Sequence, residues 1–214
     1  MRTFLYVDGF NLFHGCLKRS RPGYRWLDLN ALATKVLSPK HRIDSIHYCT
    51  ALVKPDSETD PTPGRQRLYI NALKAFIPHL SVQYGHFTSH PSSARHLDPP
   101  PDIVRYQKVE EKGSDVNLAA RLVADAFQDR FDCAVILSND GDMAPAARIA
   151  RKEAEKRVGV IAPVQHVNGG QARRVSNELS RNADFVRTIR RSAIAKSQLP
   201  SPIPGTSYFK PKHW

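Results

Sequence analysis

A chain of 214 residues is long enough for one domain with a sizeable core. Its 32 Lys and Arg against 20 Asp and Glu leave a formal charge of +12, which directs it toward polyanions such as phosphate backbones, the plainer reading being a solvated basic surface. No apolar run reaches the roughly 18 residues of a membrane helix and the N-terminus lacks the regions of a signal peptide, so a cytoplasmic protein with no membrane partner is expected.

Residues 2–7 are an aromatic and branched run that predicts a short strand. The chain then turns at Gly9 into a helix through Leu17. Residues 27–36 carry Leu29, Leu32, Ala33 and Val36 at helical spacing, with Asp28 as N-cap. Residues 44–53 predict a second strand, and the proline-rich, acidic stretch 54–64 a loop. A helix is expected over 65–77, with Leu68, Ala72, Leu73, Ala75 and Phe76 facing inward. Residues 80–87 alternate as a strand, 88–102 are Ser-, His- and Pro-rich as in a loop, and 103–110 are a further extended piece. The clearest helix is 115–130, where Val116, Ala119, Ala120, Val123, Ala124 and Phe127 form one stripe. A buried strand follows at 133–137, a helix at 143–156, a strand at 157–162, a helix at about 172–179 and an edge strand at 183–189. From Ser192 the composition turns Ser-, Pro- and Lys-rich, which predicts a disordered tail over 191–214 after one domain over 1–190. Strands alternating with helices imply an α/β fold, with a central, mainly parallel sheet and helices on both faces.

Cys16, Cys49 and Cys133 are widely spaced, form no CxxC, and read as buried thiols. No Cys/His spacing supports zinc.

Four aspartates carry the chemistry. Asp8 ends the first apolar run, Asp140 and Asp142 follow the run Ala134-Val135-Ile136-Leu137, and Asp115 opens the long helix. If the two runs are parallel strands, their carboxylates share one sheet edge, where ligands of open α/β sheets bind. A helix from Asp115 descends about 21–24 Å and the next strand climbs back about 20 Å, so Asp115 and Asp140 return to the same end. Clustered like charges are unfavourable unless a cation neutralises them or some protonate. Hard carboxylate oxygens suit Mg²⁺ or Mn²⁺, and divalent ions can activate a water and stabilise the leaving oxygen of a phosphodiester. Taken singly, Asp8 reads equally well as a turn residue, and Asp115 and Asp140 as helix caps; the convergence of three element ends favours the acidic site. Beside it, Asn11 reads as a phosphate ligand or an orienter of Asp8, with a helix cap as the alternative. Ser138 reads as a partner of a water or carboxylate, or as a strand-end cap. One of Glu110 and Glu111 is placed to join the acids, the other to face solvent. Lys112 reads as a phosphate contact or a partner of these acids.

Three segments carry a resemblance: Val7-Asp8-Gly9-Phe10-Asn11, Glu110-Glu111-Lys112-Gly113-Ser114-Asp115-Val116-Asn117-Leu118-Ala119, and Val135-Ile136-Leu137-Ser138-Asn139-Asp140-Gly141-Asp142. In order and spacing they resemble the hallmark segments of NYN-domain proteins, of the PIN-like nuclease superfamily, over about residues 1–190. Met143 stands where that family often has Phe or Leu, a conservative apolar change. The resemblance implies a PIN-like three-layer α/β/α sandwich and an endoribonuclease using Mg²⁺ or Mn²⁺ held by Asp8, Asp115, Asp140 and Asp142, with Asn11 and Ser138 as adjacent polar positions.

Basic residues gather after the last acidic motif. Arg148, Arg151 and Lys152 share a helical face, and Arg148 is taken as a substrate contact. Arg173, Arg174, Arg181, Arg187, Arg190 and Arg191 follow, and Gly169-Gly170-Gln171 precedes a helix start that suits phosphate. The expected partner is RNA, with single-stranded DNA as an alternative, and a symmetric homodimer would extend a basic groove. The competing function is a non-catalytic RNA- or protein-binding module on the same shell. A phosphatase with an aspartyl nucleophile is disfavoured because Phe10, not a second acid, stands two residues after Asp8. A dinucleotide-dependent oxidoreductase is disfavoured because no GxGxxG follows the first strand.

Overall fold

β1 (Arg2–Asp8) is the spine of the sheet because it is apolar on both faces: Leu5 and Val7 enter one core, Phe4 and Tyr6 the other. A strand buried on both sides reads as a continuous apolar run, as parallel strands do. β5 (Cys133–Leu137) is built the same way, with Cys133, Val135 and Leu137 on the first face and Ala134 and Ile136 on the second. The computed structural model describes residues 1–18, 23–98, 101–164, 174–212 and 214. The remaining strands are β2 (Arg42–Ala51), β3 (Leu80–Arg95), β4 (Ile103–Lys112), β6 (Arg157–Ala162) and β7 (Phe185–Thr188), in the order β4-β3-β2-β1-β5-β6-β7. All neighbours are parallel except β3 and β4.

The helices are α1 (Gly9–Leu12), continued by a π-turn over Phe13–Leu17, then α2 (Leu29–Val36), α3 (Thr62–Phe76), α4 (Ser114–Phe127), α5 (Ala144–Lys152), α6 (Asn177–Arg181) and α7 (Arg191–Ala195). Buried residues of α2, α3 and α7 join the core under Leu5 and Val7, and those of α4, α5 and α6 the core under Tyr6. Helices therefore cover both faces of the sheet, as expected, in a three-layer sandwich. The chain winds outward from β1 in both directions, so the carboxyl ends of β1 and β5 flank the point where strand order reverses. Ligands of open α/β sheets bind in that crevice. Asp28 caps α2 as expected, accepting from the N–H groups of Asn30 and Ala31 at 2.9 and 3.0 Å.

Three expectations are corrected. Residues 88–95, expected as loop, continue β3 and pair with β4 in an antiparallel ribbon that runs past the end of β2. The ribbon covers no core, so its sequence shows no apolar alternation. On α4 the expected stripe is turned: Val116 is 70% and Phe127 60% exposed, while Leu118, Leu122, Asp125 and Ala126 are buried. The inward face is set by a polar group. Asp125 is fully enclosed and receives Tyr6 Oη–H at 3.0 Å, Arg121 at 2.8 Å and Arg130 at 3.0 Å, with His47 Nε2 at 3.3 Å. Burial pushes His47 down to about 4, so it is neutral near pH 7. Third, the described residues from Ser192 on pack against the body. Ile194, Leu199 and Ile203 are buried in the first core, Leu199 N–H donates to Trp26 O at 2.8 Å, and Trp214 packs edge-on against Tyr69. A few large apolar side chains, at roughly 1.5–3 kcal/mol each when buried, offset the ordering of a polar segment. The expected strands at 44–53, 103–110, 157–162 and 183–189 are present within a few residues.

Candidate functional site

Asp8 stands at the last position of β1 and caps α1: its Oδ1 accepts the Asn11 N–H at 2.8 Å. A side chain at Gly9 would drive into Tyr48 Oη at 2.7 Å and Cys49 O at 2.9 Å, so glycine lets the turn hug β2. Across the switch point, Ser138 Oγ–H donates to Asp8 Oδ2 at 3.0 Å, and Ser138 Oγ itself accepts the Asp140 N–H at 3.1 Å. Ser138 is fully buried and bridges Asp8 to the start of the Asp140 turn. Asp140 Oδ1 in turn accepts the Asp142 N–H at 3.0 Å, capping a single 3₁₀ turn over Gly141–Met143. Asn11 and Ser138 are therefore both engaged in holding the two strand ends together: Asn11 Oδ1 accepts the Asn139 N–H at 3.0 Å. Asn139 extends the latch to the entry of α6, donating to Arg174 O at 3.0 Å and accepting the Ser176 N–H at 2.7 Å.

Asp115 arrives from the opposite side, in the first turn of α4. Gly113 before it has φ +90°, a left-handed conformation that glycine adopts without strain, and this turns β4 sharply into α4. Glu111 Oε1 accepts the Ser114 N–H at 3.2 Å. Glu110, one residue earlier and on the other face of β4, pairs with Lys108 at 2.7 Å and Lys112 at 3.2 Å. Strand alternation thus decides which of the two glutamates turns toward the aspartates, and it ties Lys112 to Glu110.

The electrostatics show the convergence. Burial, reinforced by repulsion from Asp8, Asp140, Glu111 and Asp142, pushes Asp115 up to about 6. Asp8 is also raised, by burial first and by Asp140; the hydrogen bonds from Asn11 and Ser138 hold it back. Glu111 is the acid that the sequence left undecided between two neighbours. Asn139 was not singled out, and only its place between Ser138 and Asp140 marked it. Cys49 lies beside the same acids and is pushed up to about 12, chiefly by burial; all three cysteines are buried, as expected.

Among the described residues, no three Asp, Glu, His or Cys side chains close round a point as a ready-made cation cage. The donor set is nonetheless all hard oxygen, and the upward pressure on Asp8 and Asp115 is the kind a cation relieves. Such a set fits an ion that keeps several waters and takes one or two carboxylates directly, as Mg²⁺ does.

Arg148 lies on α5, paired with Glu153 at 2.9 Å. With Arg181, Glu178, Ala144, Pro145 and Asn182 it lines a hollow of about 470 Å³. That hollow adjoins the acidic turn, since a Cβ on Gly141 would stand 3.2 Å from Glu178 Oε2. Arg173 and the Gly169-Gly170-Gln171 segment lie outside the described residues.

No helix among the described residues is long and apolar enough to cross a membrane. The family model of the NYN domain matches residues 2–189. The chain is 32% identical, over 100% of its own length and 75% of the other's, to a protein of Pseudomonas putida (strain DSM 28022 / S16) named 6-hydroxy-3-succinoylpyridine 3-monooxygenase HspA. Its fold is similar to the crystal structure of a protein of unknown function, VPA0982 from Vibrio parahaemolyticus RIMD 2210633, with a TM-score of 0.54, 18% identity, and coverage of 89% of this chain and 93% of that one.

Proposed function

This chain belongs to the NYN-domain family, whose fold is nuclease-like, and from that we propose that it is a metal-dependent endoribonuclease acting at the carboxyl edge of β1 and β5. The observation that carries the reading is the meeting of Asp8, Asp115, Asp140 and Asp142 at the switch point, where burial and mutual repulsion raise Asp115 to about 6. Asp8, Asp140 and Asp142 would hold Mg²⁺ or Mn²⁺. When bound, the cation supplies charge neutralisation and polarises the phosphodiester. Asp115 would either complete that set or orient the attacking water. Ser138 keeps Asp8 and Asp140 in register through its two hydrogen bonds, and the Asn11–Asn139 bond keeps β1 and β5 together. Arg148 and Arg181, on the adjoining hollow, are suited to hold the RNA backbone, since arginine forks match phosphate.

The identity to the Pseudomonas relative over the whole chain favours a second reading, hydroxylation of a pyridine ring of the kind that relative's name describes. One experiment separates the two. The purified protein is incubated with a mixed RNA pool in Mg²⁺, in Mn²⁺ and in EDTA, and separately with 6-hydroxy-3-succinoylpyridine, NADH and air. Metal-dependent shortening of the RNA with the pyridine unchanged supports the ribonuclease. Pyridine consumption with intact RNA replaces it by the second reading. RNA retained but uncut in every metal condition points to the binding module.

A further inference from the structure

β4 is a long edge strand whose charges, Arg105, Lys108 and Lys112 against Glu110 and Glu111, are nearly balanced. Natural edges are short, carry prolines or bulges, or present lysines that discourage pairing. The opposite edge follows this rule, since β7 has only 4 residues. β4 has 10 residues and no proline, and its register with β3 runs unbroken from Lys112 to Ile103. Lys108, its one lysine in mid-strand, is tied to Glu110 at 2.7 Å. Ile103 is 65% and Val109 58% exposed. Beyond Gly85 the β3–β4 ribbon has no third strand among the described residues, and a two-stranded ribbon is marginal in water by itself.

The charge of the ribbon bears on what pairs with it. Residues 86–112 hold Arg95, Arg105, Lys108 and Lys112 against Asp98, Asp102, Glu110 and Glu111. A neutral segment in a chain of charge +12 is the place where two copies approach without repulsion, and a poor place to hold a polyanion.

We propose that β4 pairs antiparallel with β4 of a second copy of this chain, about a twofold axis at Tyr106, joining the two sheets into one. An isologous contact of this kind maps a patch onto itself, and an axis normal to the sheet keeps each residue on its own face. Centred on Tyr106, the pairing sets Ile103 opposite the partner's Val109, Arg105 opposite the partner's Gln107, and Tyr106 opposite itself. The three exposed apolar side chains of the strand, Ile103, Tyr106 and Val109, thereby each gain an apolar neighbour across the seam. Centring on Lys108 instead would set two ammonium groups face to face, and directly opposed like charges are destabilising. The two Glu111 residues, which lead into the acidic sites, then lie about ten residues apart along the paired strands, or about 34 Å.

The test uses the full chain without RNA, so its outcome does not depend on whether the protein cleaves RNA. Sedimentation or light scattering should give twice 24.1 kDa. Cys16, Cys49 and Cys133 are buried, so Tyr106→Cys adds the one accessible thiol among the described residues. Facing residues in an antiparallel pair fall within disulfide reach, and mild oxidation should convert this variant to a covalent dimer. Gln107→Cys, which faces Arg105 instead, should cross-link poorly. Ile103→Lys with Val109→Lys should give a folded monomer, and Ile103→Lys with Val109→Glu should restore the dimer. A wild-type monomer throughout, or a dimer that ignores both the cysteine position and the charge swap, overturns the proposal.

Discussion

Replacing Asp115 by Asn removes one charge from a cluster of carboxylates while keeping the shape of the side chain. A rise from the usual 3.8 to about 6 corresponds to roughly 3 kcal/mol for a wholly enclosed group, at about 1.4 kcal/mol per pH unit. Asp115 is only half-buried, and solvent screening reduces this to about 1.5 kcal/mol. Its position in the first turn of α4 returns about 0.5 kcal/mol through the helix macrodipole. The net expectation is that Asp115→Asn stabilises the protein by about 1 kcal/mol at pH 7–8 in EDTA, or about 2–4 °C in Tm for a chain of this size. The sign follows from linkage: the folded state binds this proton more tightly than the unfolded chain, so the wild type loses stability as pH rises from about 4 to about 6. The variant lacks that loss, and the gap between them should close below about pH 4. Thermal denaturation of both proteins from pH 4 to 8, with EDTA and then with Mn²⁺, reads it directly. Mn²⁺ should raise the wild-type Tm more than the variant's, since a ligand stabilises the state that binds it. A variant less stable than wild type by the same amount at every pH would refute the reasoning and leave Asp115 as a simple helix-end residue.

Three further outcomes follow from the geometry. Ser138→Ala removes a buried hydroxyl that serves both Asp8 and Asp140; it should cost about 1–3 kcal/mol in urea denaturation and lower cleavage more than RNA affinity. Asp125→Ala strands the Tyr6 hydroxyl and two arginines, and should lose about 2–4 kcal/mol with metal affinity by calorimetry unchanged, which separates this buried network from the candidate site. Truncation after residue 196 strips Leu199, Ile203 and Trp214 from the first core. It should cost at least about 3 kcal/mol, whereas a truly loose tail would leave Tm unmoved.

The parts of the fold that were legible in the sequence are those whose residues act locally. β1 and β5 are apolar runs that end in acids, and α2 starts at a capping aspartate, so each announces its own boundaries. What was not legible depends on partners far along the chain. The inward face of α4 is chosen by Tyr6 and His47 reaching Asp125, and a hydrophobic count placed Val116 and Phe127 inside because it gives no credit to a buried charge. The β3–β4 ribbon has no core to face, so Ser, His and Pro disguised it as a loop. The C-terminal segment packs through a few scattered apolar residues among prolines, a spacing with no period to read. In the candidate site, the four aspartates stood out by their places at element ends. Choosing Glu111 over Glu110 required the facing of β4, and the Asn11–Asn139 latch required the pairing of β1 with β5.

Metal-dependent RNA cleavage by the aspartates at the carboxyl edge of β1 and β5 stands or falls with Asp140→Asn. Wild type and variant are compared on the same RNA pool over a titration of Mn²⁺, with circular dichroism to confirm that both are folded. The wild type should cleave more as metal rises, and the variant should lose at least about a hundredfold with RNA still bound, since removal of a group acting in the transition state costs on that order. Equal cleavage by the two proteins at every metal concentration would contradict it.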